Sequence, residues 1–268
     1  MIKKTILQGL VLAGVFVVMW ALLQRADWIT IFKVEKISSK TEQKLGDLFW
    51  DIFRTGEREN TNPFVQNTVD SLVTAICLAN NINKEYLNVH VLDKNEVNAF
   101  ALPNKRLVIY SGLILEAENQ EEVAGVIAHE IAHIELRHVM KKLIKEVGLS
   151  MLISMTTGGG TDIIRETAKM MSSTAFDRNM EREADLKAVD YLVKAEIDPG
   201  PFANFLYRLS ERESDILKYM SWISTHPDSK ERAQYVTEYG AGKLREPQQV
   251  VSQDTWKKLK ENLRFVQI

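Results

Sequence analysis

A single cysteine, Cys77, occurs in 268 residues, so neither an intramolecular disulfide framework nor a zinc cluster built on thiolates is available. Its neighbours Leu72, Val73, Ala75, Ile76 and Leu78 are apolar, and Cys77 reads as a small buried hydrophobe. An excess of either charge is missing too: 34 basic residues are interspersed with 36 acidic ones, for a net charge of -2. No basic field exists to attract phosphates, and nucleic acid is not an expected partner. There is no internal repeat and no low-complexity tract. What remains, 45% apolar and 26% charged, is the composition of a folded chain with one large domain or two small ones.

Charge is absent from Ile6 to Leu23, where every residue except Gln8 is apolar or glycine. At about 1.5 Å per residue this run makes a helix of roughly 27 Å, enough for one membrane span. The flank Gln24-Arg25-Ala26-Asp27-Trp28 lacks the paired small residues of a signal-peptidase site, so an uncleaved anchor is expected. Lys3, Lys4 and the amino terminus argue for a cytoplasmic N-terminal end, against the opposing pull of Arg25, Lys33, Lys36 and Lys40. The expectation is a single-pass protein of a bacterial-type inner membrane, with its folded part in the periplasm.

Beyond the anchor, Ser39 and Glu42 have capping-box spacing ahead of Leu45, Leu48, Phe49, Ile52 and Phe53, predicting a helix from near residue 40 to near Gly56. Pro63 opens a second helical pattern through Val65, Val69, Leu72, Val73 and Ile76. Short runs at Leu87, His90 to Leu92 and Arg106 to Tyr110, separated by Asn95, Asn98, Pro103 and Asn104, predict strands of a small sheet. A long helical pattern then runs from Gln120 to Lys145. The apolar stretch Val147 to Met155 is too short to span a membrane and reads as a core or interfacial segment, with Gly158 to Gly160 as a flexible connection. Helical patterns resume from Thr161, through Glu181 to Ala195, and after Pro199. The expected fold is α+β, mostly helical with a small β-sheet, plus one N-terminal transmembrane helix. Its expected divisions are an anchor (1–25), a helical linker region (26–62), a main domain (63–245) and a C-terminal tail (246–268).

His129-Glu130-Ile131-Ala132-His133 matches HExxH. On a helix the two histidines differ by about 40° around the axis and face one metal ion. Glu130 lies about 100° from His129 and about 60° from His133, within reach of a metal-bound water, as a general base requires. Two histidines do not complete a catalytic zinc site, and a third protein ligand must come from elsewhere. His138 sits about 180° from His129 on an uninterrupted helix, with no glycine in Ile134 to Arg137 to turn the chain back, and is set aside. His90 lies in an apparent strand and reads as a packed histidine. Glu181 and Asp185 form an i, i+4 carboxylate pair in which one can ligate and the other can hold a ligating histidine from behind, unless the pair is simply a solvated acidic face.

Three segments in order, Ala128 to His138, Glu181 to Asp185 and, upstream of both, Asn98 to Leu113, resemble metallopeptidase family 48. These are zincin-like zinc endopeptidases that include the HtpX, Oma and BepA types and the CaaX prenyl endopeptidases, and the BepA-like members are the nearest in pattern. The resemblance covers roughly residues 60 to 240. It implies one zinc ion per chain held by His129, His133 and Glu181, with Asp185 behind the site and Glu130 as base. It also implies that Asn98, Ala99, Phe100 and Ala101 form a strand beside the cleft. An exposed edge there would pair with an extended peptide backbone, although an ordinary hairpin fits the pattern equally well. Thr225-His226-Pro227-Asp228-Ser229-Lys230-Glu231-Arg232 resembles the HPxxxxR segment of the BepA-like members. His226 is then a switch occupying the open zinc position or a transition-state donor, with Arg232 assisting, or else a loop histidine capping the next helix.

The activity implied is hydrolysis of protein or peptide substrates, misfolded or misassembled envelope proteins among them. Tyr207 is a second candidate donor to the oxyanion. The rival reading is a non-enzymatic envelope chaperone or scaffold with a structural zinc, closed by four protein ligands. Processing of prenylated tails fits poorly with one span, because cutting inside a bilayer calls for several.

Overall fold

The computed structural model describes residues 8, 14–17, 38–158, 160–211, 222, 224–244 and 246–264. Most of the expected anchor lies outside the described residues, and among these no helix is long and apolar enough to cross a membrane. The chain divides into Met1–Ile37 and a compact unit, Ser38–Ile268, which carries everything below.

Helix α1 (Ser39–Gly56) starts at the residue expected to cap it. Ser38, not Ser39, is the N-cap, its hydroxyl oxygen accepting from Thr41 N at 3.1 Å. Leu45, Phe49, Trp50 and Phe53 are its buried stripe. Asn62 caps α2 (Pro63–Ala79) by accepting from Phe64 N at 2.9 Å, and Pro63 stands in the first turn, where no amide hydrogen is needed. A 3-10 turn, Lys84–Tyr86, leads into the sheet.

Strands β1 (Asn88–Leu92), β2 (Ala99–Leu102) and β3 (Arg106–Tyr110) lie in the order β1-β3-β2. β3 is parallel to β1 and antiparallel to β2, with His90 and Phe100 both opposite Val108. β2 is an edge by order, yet each of its residues is at most 2% exposed, and it packs against α1 and the helical segment Gln120–Glu135. The edge expected to receive a peptide is therefore covered.

After α3 (Ser111–Glu116) comes α4 (Gln120–Glu135), capped by Asn119, which accepts from Glu122 N at 3.0 Å. α4 is buried from Glu122 to Ile134, enclosed by β2, α2, α8 (Arg178–Lys194) and α9 (Gly200–Glu211). Gly125 permits this packing, since a Cβ there would collide with the Phe202 side chain of α9.

The expected continuous helix from Gln120 to Lys145 is broken. Arg137 takes a left-handed φ of 58°, and α5 (His138–Val147) starts on a new axis. One left-handed residue costs only about 1–2 kcal/mol. Here the break buries His138, Val139, Met140 and Leu143 and lets Arg137 reach Glu42 at 3.1 Å. Apolar spacing cannot register such a break.

α6 (Leu149–Thr156) and α7 (Thr161–Met171) pack on α1. α6 buries Leu152 and Met155 while Met151 and Ile153 stay exposed, so it is half core. α10 (Ser229–Gly240) packs on α8 and α9. α11 (Gln253–Arg264) buries Trp256, Leu259 and Leu263 and packs against α2 and α3. The segments expected to stand apart as linker and tail thus supply α1 and α11 to the same compact unit. Asn62 Nδ2 donates to Asn262 Oδ1 at 3.0 Å, joining its two ends.

Candidate metal centre

α4 and α8 pack face to face, and their facing residues are the polar ones singled out above. His129, Glu130, His133 and Asp185 have no exposure, Glu181 has 3%, and His226 and Arg232 have 1% and 2%. So many buried polar groups are tolerable only if they partner one another or an ion. His226 ends a helical turn, its N–H donating to Trp222 O at 2.7 Å, and Arg232 sits on α10.

One ligand atom each from His129, His133, Glu181 and His226 lie within 4.8 Å of one another. His129 Nε2 is 3.0 Å from His133 Nε2 and 3.3 Å from His226 Nδ1. Glu181 Oε1 is 3.3 Å from His133 Nε2, and Oε2 is 3.1 Å from His226 Nδ1 and 3.7 Å from His129 Nε2. Four ligands at about 2.0–2.1 Å from a tetrahedral ion stand about 3.3–3.4 Å apart. Several of these separations lie near that spacing, and the nitrogen and carboxylate donors suit zinc and other borderline divalent ions.

Glu130 points at the same cluster. Its Oε1 is 3.3 Å from His226 Nε2, and neither carboxylate oxygen has a hydrogen bond among the described residues. A buried carboxylate beside four convergent donors, with the His226 ring against it, is placed as a general base requires.

Behind the cluster, Asp185 Oδ1 is 2.8 Å from His129 Nδ1, and Arg232 grips both oxygens of Asp185 at 2.8 Å each. Arg232 Nη1 is also 2.8 Å from Glu181 Oε2, and Tyr235 donates to Asp185 Oδ2 at 2.5 Å. Burial alone would raise the Asp185 carboxyl, but the Arg232 guanidinium and His129 outweigh it and hold it far below its ordinary 3.8. Glu181 is likewise held well below 4.5, burial being outweighed by His226 and Arg232. Burial, then the neighbouring His129, pushes His133 down to about 4, keeping it in the neutral form that can ligate. His226 moves the other way: burial lowers it, but the Glu181 and Glu130 carboxylates prevail and push it up to about 9.

All seven residues expected from HExxH, ExxxD and HPxxxxR meet here. Asn98 to Ala101 lie along the covered strand beside α4, with Asn98 Oδ1 buried and unpartnered among the described residues. Tyr207 is 50% exposed on α9, in contact with Lys230 rather than with the cluster. His138 is not among the four convergent donors, but the expected reason was mistaken, because the chain does turn at Arg137. The sequence reading missed Phe176, stacked on His133 at 4.0 Å, and Trp222, 4.3 Å from the His226 ring. It also missed Tyr235, whose spacing three residues beyond Arg232 on one helix was the available signal.

Residues 59–239 match the profile of Peptidase family M48. The chain belongs to that family. Among its relatives, the Beta-barrel assembly-enhancing protease of Yersinia pestis is 24% identical over 204 residues, covering 71% of this chain and 42% of that protein. Metalloprotease LoiP of Escherichia coli is 31% identical over 169 residues, 60% of this chain and 66% of LoiP. Mitochondrial metalloendopeptidase OMA1 of Arabidopsis thaliana is 31% identical over 157 residues, 58% of this chain and 32% of that protein. The chain thus spans less than two thirds of each of these relatives. M48 proteases depend on a metal, and the buried cluster of His129, His133, Glu181 and His226 is compatible with holding one.

Proposed function

We propose that this M48 chain is a membrane-anchored zinc metalloendopeptidase that cleaves misfolded or misassembled envelope proteins. The observation that carries the reading is the convergence of His129, His133, Glu181 and His226 donor atoms within 4.8 Å, beside the buried Glu130. His129 Nε2, His133 Nε2 and a Glu181 oxygen would hold the zinc. An ion held there would supply Lewis acidity, which lowers the pKa of a water toward about 7 and polarises a carbonyl. Glu130 takes the proton of the attacking water on Oε1 or Oε2 and delivers it to the departing amine. Asp185 accepts from His129 Nδ1–H, which directs the Nε2 lone pair inward. The apolar run Ile6 to Leu23 would keep the unit at the inner membrane, on its periplasmic side.

His226 is the proposed gate. With Nδ1 among the donors and Nε2 3.3 Å from Glu130, it would fill the open position beside an ion held there and screen the base. Replacing it opens both, so His226→Ala is expected to raise turnover of an unfolded substrate several-fold, while unchanged turnover would remove the gating role. The same closure favours one other reading, a structural zinc in a non-enzymatic chaperone. Casein hydrolysis by the detergent-solubilised full chain separates the two. Cleavage lost to a chelator and restored by zinc is expected, whereas zinc-loaded wild type and His226→Ala that both leave casein intact would favour the chaperone.

A further inference from the structure

The two histidines of α4 are held from behind in different ways. His129 Nδ1 faces a buried carboxylate, Asp185, at 2.8 Å. His133 Nδ1 faces another imidazole: His138 Nδ1 lies 3.1 Å away, and His138 Nε2 lies 3.3 Å from Glu183 Oε2. His138 is wholly buried, whereas the Glu183 side chain is 57% exposed.

Two facing ring nitrogens share one proton, so the direction of this chain follows from its inner end. His133 Nε2 points into the donor cluster, 3.0 Å from His129 Nε2, and must offer its lone pair there. Neutral His133 therefore carries its proton on Nδ1 and donates it to His138 Nδ1. His138 then carries its own proton on Nε2, where the Glu183 carboxylate accepts. From this geometry we infer that His138 is a positioning residue for the metal ligand His133, the middle of a chain His133–His138–Glu183 running from the cluster to solvent.

The inference rests on the zinc reading above. Phe176, stacked on His133 at 4.0 Å and 25°, sets the plane of that ring. Among the described residues it is His138 that meets His133 Nδ1, and this bond helps to fix where Nε2 points. The left-handed Arg137 matters for the same reason, since a continuous helix would carry His138 to the far side of α4.

The test uses the full chain in detergent, with zinc affinity read by competition against a chromophoric chelator and with the visible spectrum of the cobalt-substituted protein as a second readout. His138→Phe keeps a ring in the cavity but accepts no hydrogen bond. It should weaken zinc binding by about 10- to 100-fold and alter the cobalt spectrum. His138→Asn places an amide oxygen where Nδ1 stood and should recover most of the affinity. Glu183→Ala changes an exposed side chain, leaves folding intact and should weaken binding by a smaller factor. Wild-type affinity and spectrum in His138→Phe would overturn the proposal, as would a folded His138→Asn that binds as weakly as the phenylalanine variant. If His138→Phe does not fold, Glu183→Ala and His138→Asn decide, and unchanged affinity in the former overturns the chain. A wild-type protein that binds no divalent ion at all would overturn the zinc reading, and this inference with it.

Discussion

Glu130→Gln should retain the metal yet lose peptide hydrolysis by about 10²–10⁴-fold, the range expected for removal of a general base. The substitution keeps the shape of a side chain with no exposure and takes away only its capacity to hold a proton. Burial would raise the Glu130 carboxyl, but His226 and the α4 histidines prevail and keep it below its ordinary value, so the base is ionised. Because Glu130 is not among the four convergent donors, zinc content should be unchanged. Metal analysis and casein turnover on the same preparation check both halves, and near-wild-type hydrolysis by the zinc-loaded variant would sink the assignment.

Arg232→Met carries the largest expected effect on stability. The guanidinium is 2% exposed and bonded to both oxygens of Asp185, with Glu181 2.8 Å from Nη1. Methionine fills much of the volume but leaves two buried carboxylates without their cation, a loss of about 3–5 kcal/mol. The pH dependence identifies the cause. A carboxyl whose folded pKa is depressed contributes stability that is present above its unfolded value, 3.8 for Asp185, and lost as pH falls toward the folded one. The gap between wild type and variant should therefore be full at pH 7 and narrow below pH 4. Denaturant unfolding at both pH values measures it, and a gap that is small or independent of pH would mean that Arg232 acts through packing alone.

The same residues mark how far a one-dimensional reading reaches. The HExxH spacing on α4, the Glu181–Asp185 spacing on α8 and the start of α2 at Pro63 are features within a turn or two of one helix, where geometry follows from residue count. Ser38 rather than Ser39 as the cap of α1 is a near miss of the usual kind, since adjacent serines compete for one role. β2 was reached through resemblance and not through pattern. It is buried on all four residues, so it shows no alternation of apolar and polar side chains to read.

The break at Arg137 lay beyond such reading for a different reason. A left-handed residue leaves no trace in apolar spacing, and its compensation comes from Glu42, far back in the chain. The local spacing of charges and histidines by itself determined which residues on α4 and α8 share a face, and so the candidate base and the histidine pair, while Glu181 as third ligand came from the family resemblance. Tertiary packing alone decided that His226 stands 3.3 Å from both His129 and Glu130, that Arg232 closes over Asp185, that the β2 edge is covered and that His138 turns back to His133. Those are contacts between groups far apart in the chain or across a change of axis, and only burial of the two helices against one another brings them within bonding distance.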